Sequence, residues 1–380
     1  MPPDHEFVVV GAGLLGLATG RVLASRGRDV LVLEQAEIGH EGGGSRGSCR
    51  IFRLGYDDPG YVTMARRARE LWRDLEQESG QRILRPAAQL TFGDGLHAVR
   101  DGMQRAGAPC ELLTAGEEAA RFPAIATGGP ALLEPESCVI AADSALRALT
   151  AAVPLVRTGI RVTGIEDDGR QVRLRADGGN VLTAGHVIVC AGPWTAPLLA
   201  TAGITVPSAP TLEQVAYLAP ADRPPPGDPP PGDPPGMPIF ICHSAAPMPY
   251  GLPVPDSPLY KIGLHQSGPA THPDSQDQAV DAALIGQLSR LAARHLPGYD
   301  PRPVRTERCI YDNTPDEDFI LDQAGRIIVG SGTSGHGFKF GPLLGDWLAS
   351  LACGERADLP AARFGLGRFS PPAAAGSGSR

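Results

Sequence analysis

The first 34 residues constrain the fold more than any other stretch. Glu6 to Val10 is a short apolar run that reads as a strand and leads into Gly11-Ala12-Gly13-Leu14-Leu15-Gly16. Apolar positions Leu14, Leu17, Ala18, Val22 and Leu23 then recur at helical spacing, Gly27 closes the helix, and Asp29 to Leu33 forms a second strand ending in Glu34. Strand, G-x-G-x-x-G turn, helix and an acid 21 positions after Gly13 make the βαβ opening of a dinucleotide-binding sheet. Gly11 is needed for the tight turn, Gly13 admits a pyrophosphate, and Gly16 lets helix and strand pack closely. The helix N-terminus then faces the phosphates, and Glu34 can accept hydrogen bonds from a ribose.

A chain of 380 residues exceeds what one core usually serves, so two domains are expected. Two further apolar strands end in glycine: Val187 to Cys190 before Gly192, and Arg326 to Val329 before Gly330. Their wide separation points to one sheet assembled from distant segments, with another domain inserted between them. A simple NAD-binding unit would tend to be contiguous, so this layout favours FAD. The expected fold is α/β: a Rossmann-type FAD-binding domain (1–80, 143–205 and 305–365) interleaved with an α+β substrate domain (81–142 and 206–304). Met64, Ala68, Leu71, Trp72 and Leu75 mark a helix, and 82–142 reads as short strands and turns. A hairpin is expected from Ile160 to Glu166 and Val172 to Ala176, a strand at Tyr260 to Leu264, and a helix from about Asp277 to His295. In a last βα unit, the turn Ser331 to Gly337 leads into a helix from Phe340 to Leu351. Residues 220–238 carry PPPGDPPPGDPPG, a solvated loop because proline removes donors and fixes φ. Residues 370–380 read as a disordered tail.

Composition excludes several classes. A net charge of −8 argues against a nucleic-acid footprint. No apolar run reaches the ~20 residues of a membrane span, and the N-terminus enters a strand with no room for a signal peptide. Seven cysteines, an odd number without a C-x-x-C pair, fit free thiols in a reducing cytoplasm and give no metal-ligand pattern. Of 34 basic residues only Lys261 and Lys339 are lysines. Lysine is a compact charge that approaches small groups and shifts its pKa readily, so these two positions stand out from the arginine background.

Four further motifs follow in order: Gly44-Ser45-Arg46-Gly47-Ser48-Cys49-Arg50-Ile51-Phe52-Arg53, Tyr260-Lys261-Ile262-Gly263-Leu264-His265, Arg308-Cys309-Ile310-Tyr311-Asp312-Asn313-Thr314-Pro315-Asp316-Glu317, and Gly335-His336-Gly337-Phe338-Lys339-Phe340. With the glycine fingerprint, this set resembles the monomeric sarcosine oxidase and N-methyltryptophan oxidase family over nearly the whole chain. The resemblance implies that Cys309 carries FAD through a thioether to the isoalloxazine 8α-methyl. It implies that Lys261 lies by the flavin and assists reaction with O2, with Arg50 near both. Lys339 and Arg53 would bind a substrate carboxylate, His265 would lie in the active site, and Tyr250 and Tyr311 would line the substrate pocket. The turn from Gly332 to Gly337, including Gly335 and Gly337, would offer backbone N–H groups to the flavin.

The sequence departs from the family at Arg46, where histidine is common, and at Cys49, where threonine is common; Cys49 reads as a small unreactive residue. The implied activity is oxidation of a secondary α-amino acid, N-methyl or cyclic, giving an imine and hydrogen peroxide. The expected partners are that small substrate and O2, acting on a monomer. A relative acting on a cyclic imino acid or biosynthetic intermediate is the nearest alternative. A flavin-binding redox sensor would need neither lysine, and an NAD-dependent dehydrogenase would leave Cys309 and both lysines unexplained.

Overall fold

The computed structural model describes residues 2–221, 236–243, 247–275, 279–355, 358 and 360–369. Most of the proline-rich loop and all of the expected tail lie outside these residues.

The strand His5–Val10 pairs in parallel with Val30–Leu33 on one side and Val181–Val189 on the other. The second half of Val181–Val189 pairs in parallel with Ile327–Ser331. The C-terminal ends of three distant strands, marked by Gly11, Gly192 and Gly330, therefore share one edge of a single sheet. The first half of Val181–Val189 instead carries the hairpin Val162–Asp167 and Val172–Ala176. The helix Leu14–Ser25 lies against this sheet and against Gly341–Ala352. Contact between the two helices is close: a Cβ on Gly345 would stand 2.6 Å from that of Ala18.

A second sheet of eight strands runs in the order Arg305–Asn313, Ala209–Leu218, Tyr260–His265, Met248–Pro253, Ile239–Cys242, Gln89–Phe92, Ala131–Glu134 and Glu111–Leu113. Its alternation sorts side chains by face. Ala216, Leu218, Tyr260, Ile262 and Leu264 pack with Leu284 and Leu288 of the helix Ala282–His295 in one apolar core. The alternate residues on the same strands look the other way, toward the first sheet. A three-stranded sheet (Cys49–Phe52, Cys138–Ala141 and Leu84–Pro86) links the two larger ones.

Three expectations are corrected. Residues 82–142 contain the helices Leu96–Arg105 and Ala115–Arg121 as well as strands. The second helix starts in a capping box, in which the Thr114 side chain accepts from Glu117 N–H and the Glu117 side chain accepts from Thr114 N–H. The helix expected from Asp277 begins at Ala282, because the Asp281 carboxylate accepts the N–H groups of Ala283 and Leu284. The segment 305–313, expected with the nucleotide-binding sheet, forms the edge of the second sheet and pairs along its whole length with Ala209–Tyr217. Asp312 ties it back to the first sheet, its carboxylate accepting from Ser331 Oγ at 2.6 Å and Gly332 N–H at 2.7 Å. Among the described residues no helix is long and apolar enough to cross a membrane.

Candidate active site

The glycine loop is built as its spacing requires. Gly11 has φ +101°, and a Cβ there would lie 2.4 Å from the Cys190 carbonyl oxygen. A Cβ on Gly16 would lie 1.8 Å from the Gly11 oxygen, so Gly16 is fixed by helix–strand packing and does not line the cavity. Gly13 is the residue before the helix, and the Leu14 N–H donates to Ser45 Oγ at 2.9 Å. Glu34 is buried, and its carboxylate accepts the N–H groups of Ala12 (2.8 Å) and Ala36 (3.1 Å).

From this loop a cavity of about 1100 Å³ runs to the second sheet, and every expected site residue except Gly16 lines it. Register explains why. Tyr217 faces Lys261 across one strand pair and Arg305 across the other, while Glu213 faces Cys309 and Thr211 faces Tyr311. Tyr250 faces Gly263, and Met248 faces His265. Lys261, His265, Cys309, Tyr311 and Tyr250 therefore share one sheet face, opposite the apolar core.

Lys261 is 6% exposed; its Nζ donates to the Cys49 carbonyl at 3.4 Å and lies 5.8 Å from the Tyr217 ring. Burial pulls its pKa down. Burial likewise pushes the Cys309 thiol up. Arg50 donates to the carbonyls of Cys49 (2.9 Å), Gly44 (3.0 Å) and Arg46, and stacks 5.3 Å from the Phe338 ring. It clamps the loop that carries the departures from the family pattern. Arg46 pairs with Glu41 at 2.6 Å and is more than a third exposed, whereas Cys49 is buried.

At the other end, Lys339 is 4% exposed and donates to Tyr56 Oη at 2.9 Å and to the His336 carbonyl at 2.8 Å. Arg53 lies 4.1 Å over the Tyr56 ring and donates to the Gly55 carbonyl. Burial, and then the neighbouring Arg53, hold the Lys339 pKa well below its ordinary value. His265 is lowered to about 4 by burial first, then by Arg53 and Lys339, so it is neutral at pH 7. Among the described residues, no carboxylate lies within ion-pair distance of Arg53, Lys339 or Lys261. Lys339 is buried and Arg53 half-buried, and a cation there without an ion-pair contact is costly, so this end of the cavity favours an anionic ligand.

Tyr311 stands over Gly335, where φ is +74° and a Cβ would meet the ring at 2.1 Å. Gly335, Gly337 and Phe338 line the cavity, and their N–H groups donate to no acceptor among the described residues. Sequence reasoning missed Tyr56, Tyr217 and Glu307, and it quoted His336 without assigning it a place. His336 Nδ1 is 3.2 Å from Tyr56 Oη and its Nε2 is 3.0 Å from the Glu317 carbonyl. For Glu307 a signal existed: in 305–313, residues two apart from Cys309 share its face.

Residues 6–351 match the family described as FAD dependent oxidoreductase. The chain belongs to this family. Among curated relatives, it is 33% identical to the human protein named peroxisomal sarcosine oxidase over 96% of each chain. It is 28% identical to the monomeric sarcosine oxidase of Arthrobacter sp., again over 96% of each. Among solved structures, NikD, described as an unusual amino acid oxidase essential for nikkomycin biosynthesis, superposes with a TM-score of 0.83 at 27% identity, covering 95% of this chain and 97% of that one.

The residues present fit the family's cofactor. Gly11 and Gly13 line the cavity at the strand–helix turn with backbone alone, Glu34 stands at the end of the second strand, and the 335–338 turn has N–H groups without a partner among the described residues along the same cavity.

Proposed function

We propose that the chain is an FAD-dependent oxidase of a secondary α-amino acid, N-methyl or cyclic, using O2 and releasing hydrogen peroxide. The observation that carries this reading is the pair of cationic side chains, buried Lys339 and half-buried Arg53, with no carboxylate in ion-pair contact among the described residues, at one end of the cavity that begins at the glycine loop. They would take the two oxygens of a substrate carboxylate, Arg53 through its fork of donors and Lys339 as a point charge.

FAD, when bound, supplies the two-electron acceptor for the C–N bond and passes those electrons to O2. Gly11, Gly13 and Glu34 would hold its dinucleotide, and the 335–338 turn its ring edge. We assign Cys309 as the attachment point, through a thioether. His265, Tyr250 and Tyr311 shape the amine end; His265 is neutral there, and the substrate amine binds and reacts in its deprotonated form, so no side chain has to take a proton from it. Lys261 is placed to stabilise negative charge developing on O2. Arg50 keeps the adjoining loop in place. We assign the protein to the cytoplasm as a monomer, with no nucleic-acid or membrane partner.

A second reading, oxidation of a cyclic imino acid or biosynthetic intermediate, is favoured by the likeness to NikD and by Arg46 at a position where the family commonly has histidine. Peroxide assays with sarcosine, N-methyltryptophan, proline and pipecolate discriminate the readings. Peroxide from any of the four supports an oxidase of secondary α-amino acids, and peroxide from proline or pipecolate but from neither N-methyl compound narrows it to the second reading. No peroxide from any secondary amino acid would refute both. Yellow colour that stays with acid-precipitated protein, and leaves it in Cys309→Ala, tests the attachment.

A further inference from the structure

Lys261 is a buried ammonium that needs a compensating charge, and the second sheet places a candidate two strands away. Ala209–Leu218 runs between Tyr260–His265 and Arg305–Asn313, so Tyr217 has Lys261 beside it on one strand and Arg305 on the other. Tyr217 is fully buried; its ring lies 5.8 Å from Lys261 Nζ and 3.9 Å from the Arg305 guanidinium carbon. Its hydroxyl donates to Glu307 Oε2 at 2.6 Å and lies 3.5 Å from Ser48 Oγ. Glu307 is also 3.3 Å from Arg305, and it precedes Cys309 by two residues on the same face.

We propose that Tyr217 and Glu307 are a positioning pair for Lys261: Glu307 supplies the fixed anion that balances the buried ammonium, and Tyr217 holds that carboxylate while walling Nζ off from water. The groups facing Lys261 support this by elimination. Cys49 and Arg50 come from the strand Cys49–Phe52, Tyr217 from the central strand, and Arg305, Glu307 and Cys309 from the edge strand. Burial keeps the Tyr217 hydroxyl protonated, and the Cys309 sulfur, bound in a thioether as proposed above, carries no charge. Arg50 and Arg305 are cations. Glu213, the next acid along the face, already accepts the N–H groups of Ser267 and Gly268. Glu307 is the carboxylate left, and its side chain is 21% exposed against 48% for Arg305, so water screens the anion less than the neighbouring cation.

The inference rests on the proposed role of Lys261 toward O2, but its charge can be read separately because the chain has only two lysines. Holoenzyme grown on lysine isotope-labelled at Cε should give two lysine resonances, and Lys339→Met assigns them. In Glu307→Gln, which keeps an acceptor for the Tyr217 hydroxyl, the Lys261 titration midpoint should fall by roughly one pH unit while that of Lys339 stays. Tyr217→Phe should move it in the same direction by less. An unchanged Lys261 curve in Glu307→Gln, or equal movement of both lysines, overturns the proposal. Rapid-mixing reoxidation by O2 separates the two levels. If the midpoint moves but reoxidation ignores it, the positioning pair stands and the O2 role of Lys261 fails. If reoxidation follows Lys261 but Glu307→Gln leaves the midpoint in place, the pair fails and the O2 role stands.

Discussion

Replacing Lys339 by methionine tests the carboxylate end of the cavity most sharply. The substitution keeps side-chain length and apolar volume but removes the charge and the donors to Tyr56 Oη and the His336 carbonyl. A hydrogen bond to a charged group contributes about 1.5–3 kcal/mol, so carboxylate affinity should drop roughly 10- to 150-fold, with Arg53 keeping the remainder. Because burial and Arg53 depress the Lys339 pKa, carboxylate binding should also draw a proton onto Nζ. Affinity is then greatest where Lys339 is protonated and weakens as pH rises through its lowered value. The assay is the flavin difference spectrum on titration with a simple carboxylate lacking an amine, which removes ionisation of the substrate nitrogen from the comparison. Wild type should bind more weakly at high pH, and Lys339→Met should bind weakly with little pH dependence over the same range. Equal affinity in the two proteins, or the same pH dependence in both, would refute the assignment.

Other outcomes follow from the same geometry. Lys261→Met should slow reoxidation of the reduced enzyme by O2 far more than anaerobic reduction by substrate, measured by rapid mixing. Gly335→Ala should displace Tyr311 and lower thermal stability, since its Cβ would sit 2.1 Å from the ring at φ +74°; the added strain is about 1–3 kcal/mol, read as a lower Tm. His265 has its folded value near 4, below the ~6.5 of an unfolded histidine. The unfolded chain therefore binds the extra proton first, and stability falls as pH drops from about 6.5 toward 4; His265→Gln should flatten this part of a Tm–pH curve.

Local chemistry was legible in the sequence, and strand register was not. The glycine turn and Glu34 could be read because a βαβ unit places them within one short segment. Lys261, His265, Cys309 and Tyr311 could be found from their motifs, although only pairing shows that they share one sheet face. Tyr217 and Glu307 escaped because their meaning depends on which residues of distant strands stand opposite, such as Tyr217 beside Lys261 and Arg305. Tyr56 follows Arg53 by three residues in an unremarkable loop, and gains significance only when the turn before Gly341–Ala352 brings Lys339 to its hydroxyl. The helix Leu96–Arg105 was hidden by its shortness and by the glycines before it, although Leu96, Val99 and Met103 keep helical spacing. Thr114 and Glu117, by contrast, carry the T-x-x-E spacing of a capping box and start the helix Ala115–Arg121. Residues 305–313, expected within the FAD-binding domain by their closeness to the last βα unit, form a strand of the second sheet, and only the pairing with 209–217 shows it.

The most direct test is anaerobic mixing of the oxidised holoenzyme with a panel of secondary amino acids and their carboxamides while the visible flavin band is followed. The account predicts bleaching by at least one N-methyl or cyclic amino acid and much weaker bleaching by its carboxamide. A band unchanged by every secondary amino acid, or bleached equally by the carboxamides, would contradict it.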